Sequence, residues 1–259
     1  MSIAIPDQSI QLRSTVQTGG QLEIALEMVE TPTPGPGEIL VRMEAAPINP
    51  SDLGLLFAMA DVTKAESTGD AARPSVVAPI AEGTMRALSA RLDQSLAVGN
   101  EGAGIVVAAG DAAGEALIGR TVSIVGGATY SQYRSVPAVM ALAMPEGTTP
   151  KEAASWFVNP LTALGMVETM KREGHKALVH TAAASNLGQM LNKICLSDEV
   201  DLVNIVRREE QAELLRGIGA RYVCNSSDDD FMAQLTDALA ETGATIAFED
   251  PYSTNLRVS

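Results

Sequence analysis

Two clusters in the second half of the chain have the residue types and spacing to hold a phosphorylated ligand. The first is Ala182-Ala183-Ala184-Ser185-Asn186-Leu187-Gly188, a turn of tiny residues opening an amphipathic segment. Such a turn lets a pyrophosphate approach backbone N–H groups at a helix N-terminus, where the helix dipole favours negative charge. Of the G-x-G-x-x-G pattern only Gly188 survives, with Ala183 and Ser185 in the other two glycine positions. The plainer reading of the same turn is close helix–sheet packing. The second cluster is Arg207-Arg208, directly after an apolar run. A unit built for NAD places Asp or Glu there, on the ribose hydroxyls. Two guanidinium groups instead suit a 2′-phosphate. Their plainer reading is a solvated helix start, with Glu209, Glu210 and Glu213 as partners.

Other chemistries find less support. The two histidines, His175 and His180, have no Cys or His partner at metal-ligand spacing, and His180 reads as a core residue. No G-x-S-x-G motif marks a hydrolase nucleophile. Ser51, Tyr130, Tyr133 and Thr162 offer hydroxyls, but nothing singles out an acid or a base.

The elements that must position these groups follow from periodicity. Residues 177–181 form an apolar run. Leu187, Met190, Leu191, Ile194 and Cys195 then recur at the spacing of one helix face, and residues 202–206 form a second apolar run. The pattern is a β-α-β unit. The alternation continues with helices at 208–218 and 229–241 and strands at 221–225 and 244–248, which predicts a parallel sheet with covering helices. Upstream, Pro150 starts a helix over 151–157, and another runs over 161–170 after Asn159-Pro160. Residues 10–145 read differently. Short strands at 11–17, 21–29, 38–46, 99–110, 119–125 and 130–136, broken by Gly and Pro, predict a β-rich domain. Ser51 or Asp52 is a candidate N-cap after Pro50. Residues 59–96 read as a surface excursion with one short helix near 84–92. The expected division is a domain over 1–148 and another over 149–259.

Composition bounds the class. A chain of 259 residues, 46% hydrophobic and 19% charged, is globular. With 3% aromatics, Ala, Val, Leu, Ile and Met must fill the core. A net charge of −14 should repel a phosphate backbone, so nucleic acid is not the expected partner. Two cysteines, Cys195 and Cys224, read as buried free thiols, consistent with a reducing compartment. No secretory signal and no membrane-length run is expected, which makes the cytoplasm the default.

Taken in order, the chain resembles the medium-chain dehydrogenase/reductase superfamily, in its zinc-free quinone oxidoreductase and enoyl reductase branch. Residues 34–53 (PGPGEILVRMEAAPINPSDL) are similar to the strand leading into the family's Asn-Pro-x-Asp segment. Residues 99–110 (GNEGAGIVVAAG) resemble its Gly-rich turn, and 130–138, 159–167, 180–190 and 214–223 resemble later segments. The resemblance implies a GroES-like β-rich domain beside a Rossmann domain, and reduction of a quinone, enone or aldehyde by NADPH. By position, Asn49 and Thr162 would line the nicotinamide cleft. Ser185, Asn186, Leu187 and Gly188 would present the turn to the pyrophosphate, and Arg207 and Arg208 would hold the 2′-phosphate. In zinc-dependent relatives a Cys stands near Ser51 and a His at Asn100; both are absent here, as is the four-cysteine structural lobe, so no catalytic or structural zinc is expected. A tyrosine used by enoyl reductases has no counterpart; Phe57, Ala58, Met59 and Ala60 stand there. The family continues past Phe248 with a Gly-rich turn and two more strands, whereas residues 249–259 carry no such pattern. That predicts an incomplete Rossmann sheet with an exposed edge, a homodimer only if the missing half were present, and the alternative of a non-catalytic member that binds nucleotide or a partner.

Overall fold

The computed structural model describes residues 4–249. The chain divides between Phe157 and Val158 into two compact units.

Among the described residues the first unit contains ten strands and four α-helices. The strands are β1 (Gln8–Gln17), β2 (Gln21–Glu30), β3 (Glu38–Ala45), β4 (Glu66–Gly69), β5 (Pro74–Pro79), β6 (Ser95–Ala97), β7 (Glu101–Ala109), β8 (Thr121–Val125), β9 (Tyr133–Pro137) and β10 (Ala141–Ala143). The helices are α1 (Pro50–Phe57), α2 (Glu82–Met85), α3 (Ala112–Glu115) and α4 (Pro150–Ala153). One antiparallel sheet has the order β4-β5-β2-β1-β6, and a second has the order β10-β8-β7-β3-β9. β1 and β2 form the predicted hairpin, with Gln17 opposite Gln21. Alternating side chains of β3, β7, β8 and β9 bury Ile39, Val41, Val106, Val122, Ile124 and Val136 in one cluster. Each such side chain contributes about 1.5–3 kcal/mol by leaving water.

Three expectations need correction here. Residues 59–96 are not merely an excursion: β4, β5 and β6 add strands to the first sheet. β4 is exposed throughout and β5 begins and ends on proline, so the short segments show no clear alternation. The N-cap of α1 is Asn49, not Ser51 or Asp52. Pro50 takes the first helical position, where its missing N–H costs nothing, and the Asp52 carboxylate accepts the Asn49 N–H at 2.7 Å. The helix expected over 151–157 stops at Ala153; it starts at Pro150 as expected, within a capping box in which the Thr149 N–H donates to Glu152 at 2.9 Å.

The second unit contains α5 (Val158–Arg172), β11 (Ala177–His180), α6 (Asn186–Ser197), β12 (Asp201–Val206), α7 (Glu209–Gly217), β13 (Tyr222–Asn225), α8 (Phe231–Thr242) and β14 (Ile246–Phe248). α5 starts before the expected residue 161 because Pro160 fits within its first turn. The four strands are parallel in the order β13-β12-β11-β14. Chain order therefore reverses between β11 and β14, and a reversal of this kind opens a crevice at the carboxyl ends of the strands. Leu178, Leu191, Cys195 and Leu202 pack with Ala163, Val167 and Met170 of α5 in one cluster. Val203, Ile205 and Cys224 pack with α8 in another. The expected continuation past residue 249 lies outside the described residues.

Both thiols are buried and free. Burial, aided by the charge of Asp198, pushes the Cys195 thiol up to about 12, and burial alone raises Cys224. The thiolate is the reactive form, so native protein at about pH 8 is expected to resist iodoacetamide at both positions and to react once unfolded in urea. Mass spectrometry of tryptic peptides checks this; rapid native alkylation of either residue would contradict it.

Candidate functional site

The small-residue turn lies where β11 ends and α6 begins. Ser185 caps α6, its Oγ accepting the Gly188 N–H at 3.1 Å. The cap leaves the first N–H groups of the helix, at Asn186 and Leu187, without a helical partner. The turn itself is pinned from several sides. The Ala183 N–H donates to the Ile205 carbonyl at 3.3 Å, the Ser185 N–H to Ala182 at 2.9 Å, and Gln189 Nε2 to the Ala184 carbonyl at 2.9 Å. Ala182 is held at φ 53°, in the left-handed region that costs a non-glycine residue about 1 kcal/mol or more. Gly188 is required by proximity: a Cβ there would stand 2.6 Å from the Ala183 carbonyl carbon and closer to its oxygen. The Leu187 side chain packs toward the core, so what Leu187 offers the turn is its backbone.

A cavity of about 260 Å³ opens in front of this turn. Its lining includes Thr181, Ala184, Ser185, Arg207, Gln211 and Ser226. Arg207 closes β12, and its backbone is gripped on both sides. Its N–H donates to Gln211 Oε1 at 3.1 Å, and its carbonyl accepts the Ser227 hydroxyl at 2.8 Å. The glutamates that could have neutralised the arginine pair do not. Glu209 instead pairs with Arg216 at 2.7 Å, and among the described residues neither Arg207 nor Arg208 is in an ion pair. Exposed Arg207 thus lines a small cavity together with the turn that starts a helix, and exposed Arg208 follows it in the chain. The arrangement suits an elongated ligand bearing two separated phosphates.

His180 is buried at the end of β11, and its Nδ1 lies 3.1 Å from the Phe248 carbonyl of β14. Thr162 lies on α5, where its hydroxyl donates to the Val158 carbonyl at 2.6 Å.

The first unit holds a second polar cluster, of which sequence reasoning singled out Asn49, Ser51, Asp52, Asn100 and Tyr130 separately but not Glu101. Asn49, Asp52 and Glu101 are all buried, at 5%, 2% and 0% exposure. Asn49 Nδ2 donates to Glu101 Oε1 at 2.8 Å, and the Phe157 N–H donates to Glu101 Oε2 at 2.9 Å. Asp52 accepts the Asn100 N–H at 2.8 Å as well as that of Asn49. Asn100 Nδ2 donates to Ser51 Oγ at 3.0 Å, so these two residues satisfy one another. The Tyr130 hydroxyl donates to the Pro47 carbonyl at 2.8 Å; burial, then the nearby charges of Asp52 and Glu101, hold this phenol well above its usual range. The signal for the cluster was present as an acidic residue three positions after Asn49, the spacing of a capping box. Nothing local announced that Glu101 would be buried. Among the described residues no group of three His, Cys, Asp or Glu side chains could hold a metal ion. No helix there is long and apolar enough to cross a membrane.

Comparison with known proteins places these observations. Residues 35–146 match the alcohol dehydrogenase GroES-like domain. The synaptic vesicle membrane protein VAT-1 homolog of Mus musculus is 26% identical over 231 residues, covering 86% of this chain and 50% of that protein. Prostaglandin reductase-3 of Mus musculus is 28% identical over 191 residues, covering 73% of this chain and 42% of that protein. The chain spans about half the length of the curated relatives it matches. A crystal structure from Mesorhizobium loti, named as an NADPH:quinone reductase, superposes with a TM-score of 0.70 at 24% identity, over 97% of this chain and 70% of that one. The architecture is therefore a GroES-like β-rich unit followed by a Rossmann-type parallel sheet.

Proposed function

We propose, for a chain that belongs to the medium-chain dehydrogenase/reductase superfamily in its quinone oxidoreductase-like branch, that it binds NADPH and delivers hydride to a quinone, enone or aldehyde-type acceptor. The observation that carries this reading is the cavity between the α6 N-terminus and an unpaired Arg207. Its donor set fits the cofactor. The N–H groups of Asn186 and Leu187 face a pyrophosphate, Ser185 holds the helix start in place, and Gly188 keeps the turn close to the helix. Arg207 and Arg208 take the 2′-phosphate. Asn49 and Thr162 are assigned to the nicotinamide side. When bound, the dihydronicotinamide supplies the hydride, and solvent supplies the proton. Residues 1–148 take the substrate-side role and 149–259 the nucleotide role. The acidic charge and two buried thiols support a cytoplasmic protein acting on small molecules.

Titration of the protein with NADPH, followed by turnover with a panel of quinones, enones and aldehydes, tests the reading. Binding with oxidation of NADPH is expected. Binding without turnover would narrow the function to nucleotide binding, and no binding would sink both versions. Arg207→Asp is expected to raise the Kd for NADPH roughly tenfold to hundredfold, the worth of a charge-assisted hydrogen bond, while NADH affinity is kept. An unchanged ratio of the two would remove Arg207 from the site.

A further inference from the structure

We infer that Gln211 sets the nucleotide preference of this site by placing an uncharged side chain, rather than a carboxylate, at the cavity wall beside Arg207. The inference rests on the nucleotide-binding reading above and adds a determinant to it. Gln211 is the third residue of α7, whose N-cap is Arg208. At this position a glutamine or glutamate side chain reaches back to the start of its helix and accepts a backbone N–H. Here the N–H taken is that of Arg207, at 3.1 Å, and the same side chain lines the cavity. The position therefore does two things at once. It holds the turn after β12 in one conformation, together with the Ser227 hydroxyl that grips the Arg207 carbonyl from the far side. It also decides what charge faces a ligand beside the arginines.

A glutamate would satisfy the geometric task equally well, and its charge would favour the helix N-terminus. It would, however, bring a carboxylate to the cavity wall. A carboxylate accepts the hydroxyls of an unmodified ribose and repels a 2′-phosphate. Two neighbouring acids are engaged elsewhere, Glu209 with Arg216 at 2.7 Å and Asp228 with Asn225 Nδ2 at 3.0 Å, and no Asp or Glu is among the described residues lining the cavity. With a neutral amide at 211, Arg207 lines the cavity without a carboxylate beside it in the cavity wall.

The test uses the full chain and two probes that differ only in the group at issue, adenosine 2′,5′-bisphosphate and AMP, measured by isothermal titration. Gln211→Glu is expected to raise the Kd of the bisphosphate about tenfold and to change that of AMP less than about twofold. Gln211→Met, which has similar length and no charge, is expected to keep the preference for the bisphosphate. A Q211E protein whose ratio of the two constants stays within about twofold of wild type would overturn the inference while leaving the site intact. A loss of preference in Q211M as large as in Q211E would also overturn it, because the effect would then come from the turn and not from charge. A wild-type chain that binds neither probe would instead sink the nucleotide reading, and the inference with it.

Discussion

Gly188→Ala is expected to destabilise the protein by about 2 kcal/mol and to abolish measurable binding of adenosine 2′,5′-bisphosphate. The added methyl meets backbone, not a side chain that could turn aside: the Ala183 carbonyl carbon at 2.6 Å and its Cα at 2.7 Å. Ala183 is fully buried, and its N–H is held by Ile205 of β12. The turn can yield only by giving up that hydrogen bond or by tilting α6 off Leu178 and Leu202. Either movement carries the Asn186 and Leu187 N–H groups away from the cavity, so stability and binding fall together. Gly165 provides the control. It lies inside α5 with open space around its Cα, and alanine there should stabilise by about 1 kcal/mol through helix propensity. Urea unfolding of the two variants reads both signs. A G188A protein with the wild-type midpoint and wild-type affinity would show that the turn does not depend on close approach.

The same pair explains what the sequence could and could not disclose. The β-α-β unit was legible because parallel strands buried on both faces read as unbroken apolar runs, and α6 carries its apolar residues at strict helical spacing. Gly188 was legible as the one surviving glycine of a pattern. The residue that takes the left-handed conformation was not, because it is Ala182, whose type gives no hint of a positive φ. Edge strands were the weakest elements to read. β4 has no buried residue, and its existence depends on pairing with β5, which depends in turn on β2 far upstream. Non-local hydrogen bonds of this kind leave no periodic trace.

The site shows a similar division. Arg207 and Arg208 could be picked out as cations after a strand, but whether Glu209 would neutralise them depended on a helix register that brings Arg216 to Glu209 instead. Asn49 was reached by resemblance. Its partner Glu101 was not reached at all, since the contact joins residues 49 and 101 across two elements that only the folded unit brings together.

That contact carries the second large effect. Glu101→Ala is expected to cost about 3 kcal/mol or more, with a loss of turnover that leaves adenosine 2′,5′-bisphosphate affinity unchanged. Glu101 has no exposed surface, and its two oxygens accept from Asn49 Nδ2 and the Phe157 N–H. Deleting the carboxylate strands both donors in a site with no exposed surface and leaves a cavity where the side chain stood. Glu101→Gln separates the charge from the volume. It keeps one acceptor but turns an amide donor toward a donor, so it should cost roughly 1–3 kcal/mol. Coupling to Asn49 then follows from a double-mutant cycle. Asn49→Ala should cost less in the E101Q background than in wild type, with an interaction energy on the order of 1 kcal/mol, because the bond it removes is already damaged. Bisphosphate binding should not move, since the cavity proposed to receive it is lined by residues of the second unit. Additive single-mutant effects would mean that Glu101 holds Phe157 alone, and that the orientation of Asn49 comes from Asp52 and the α1 cap.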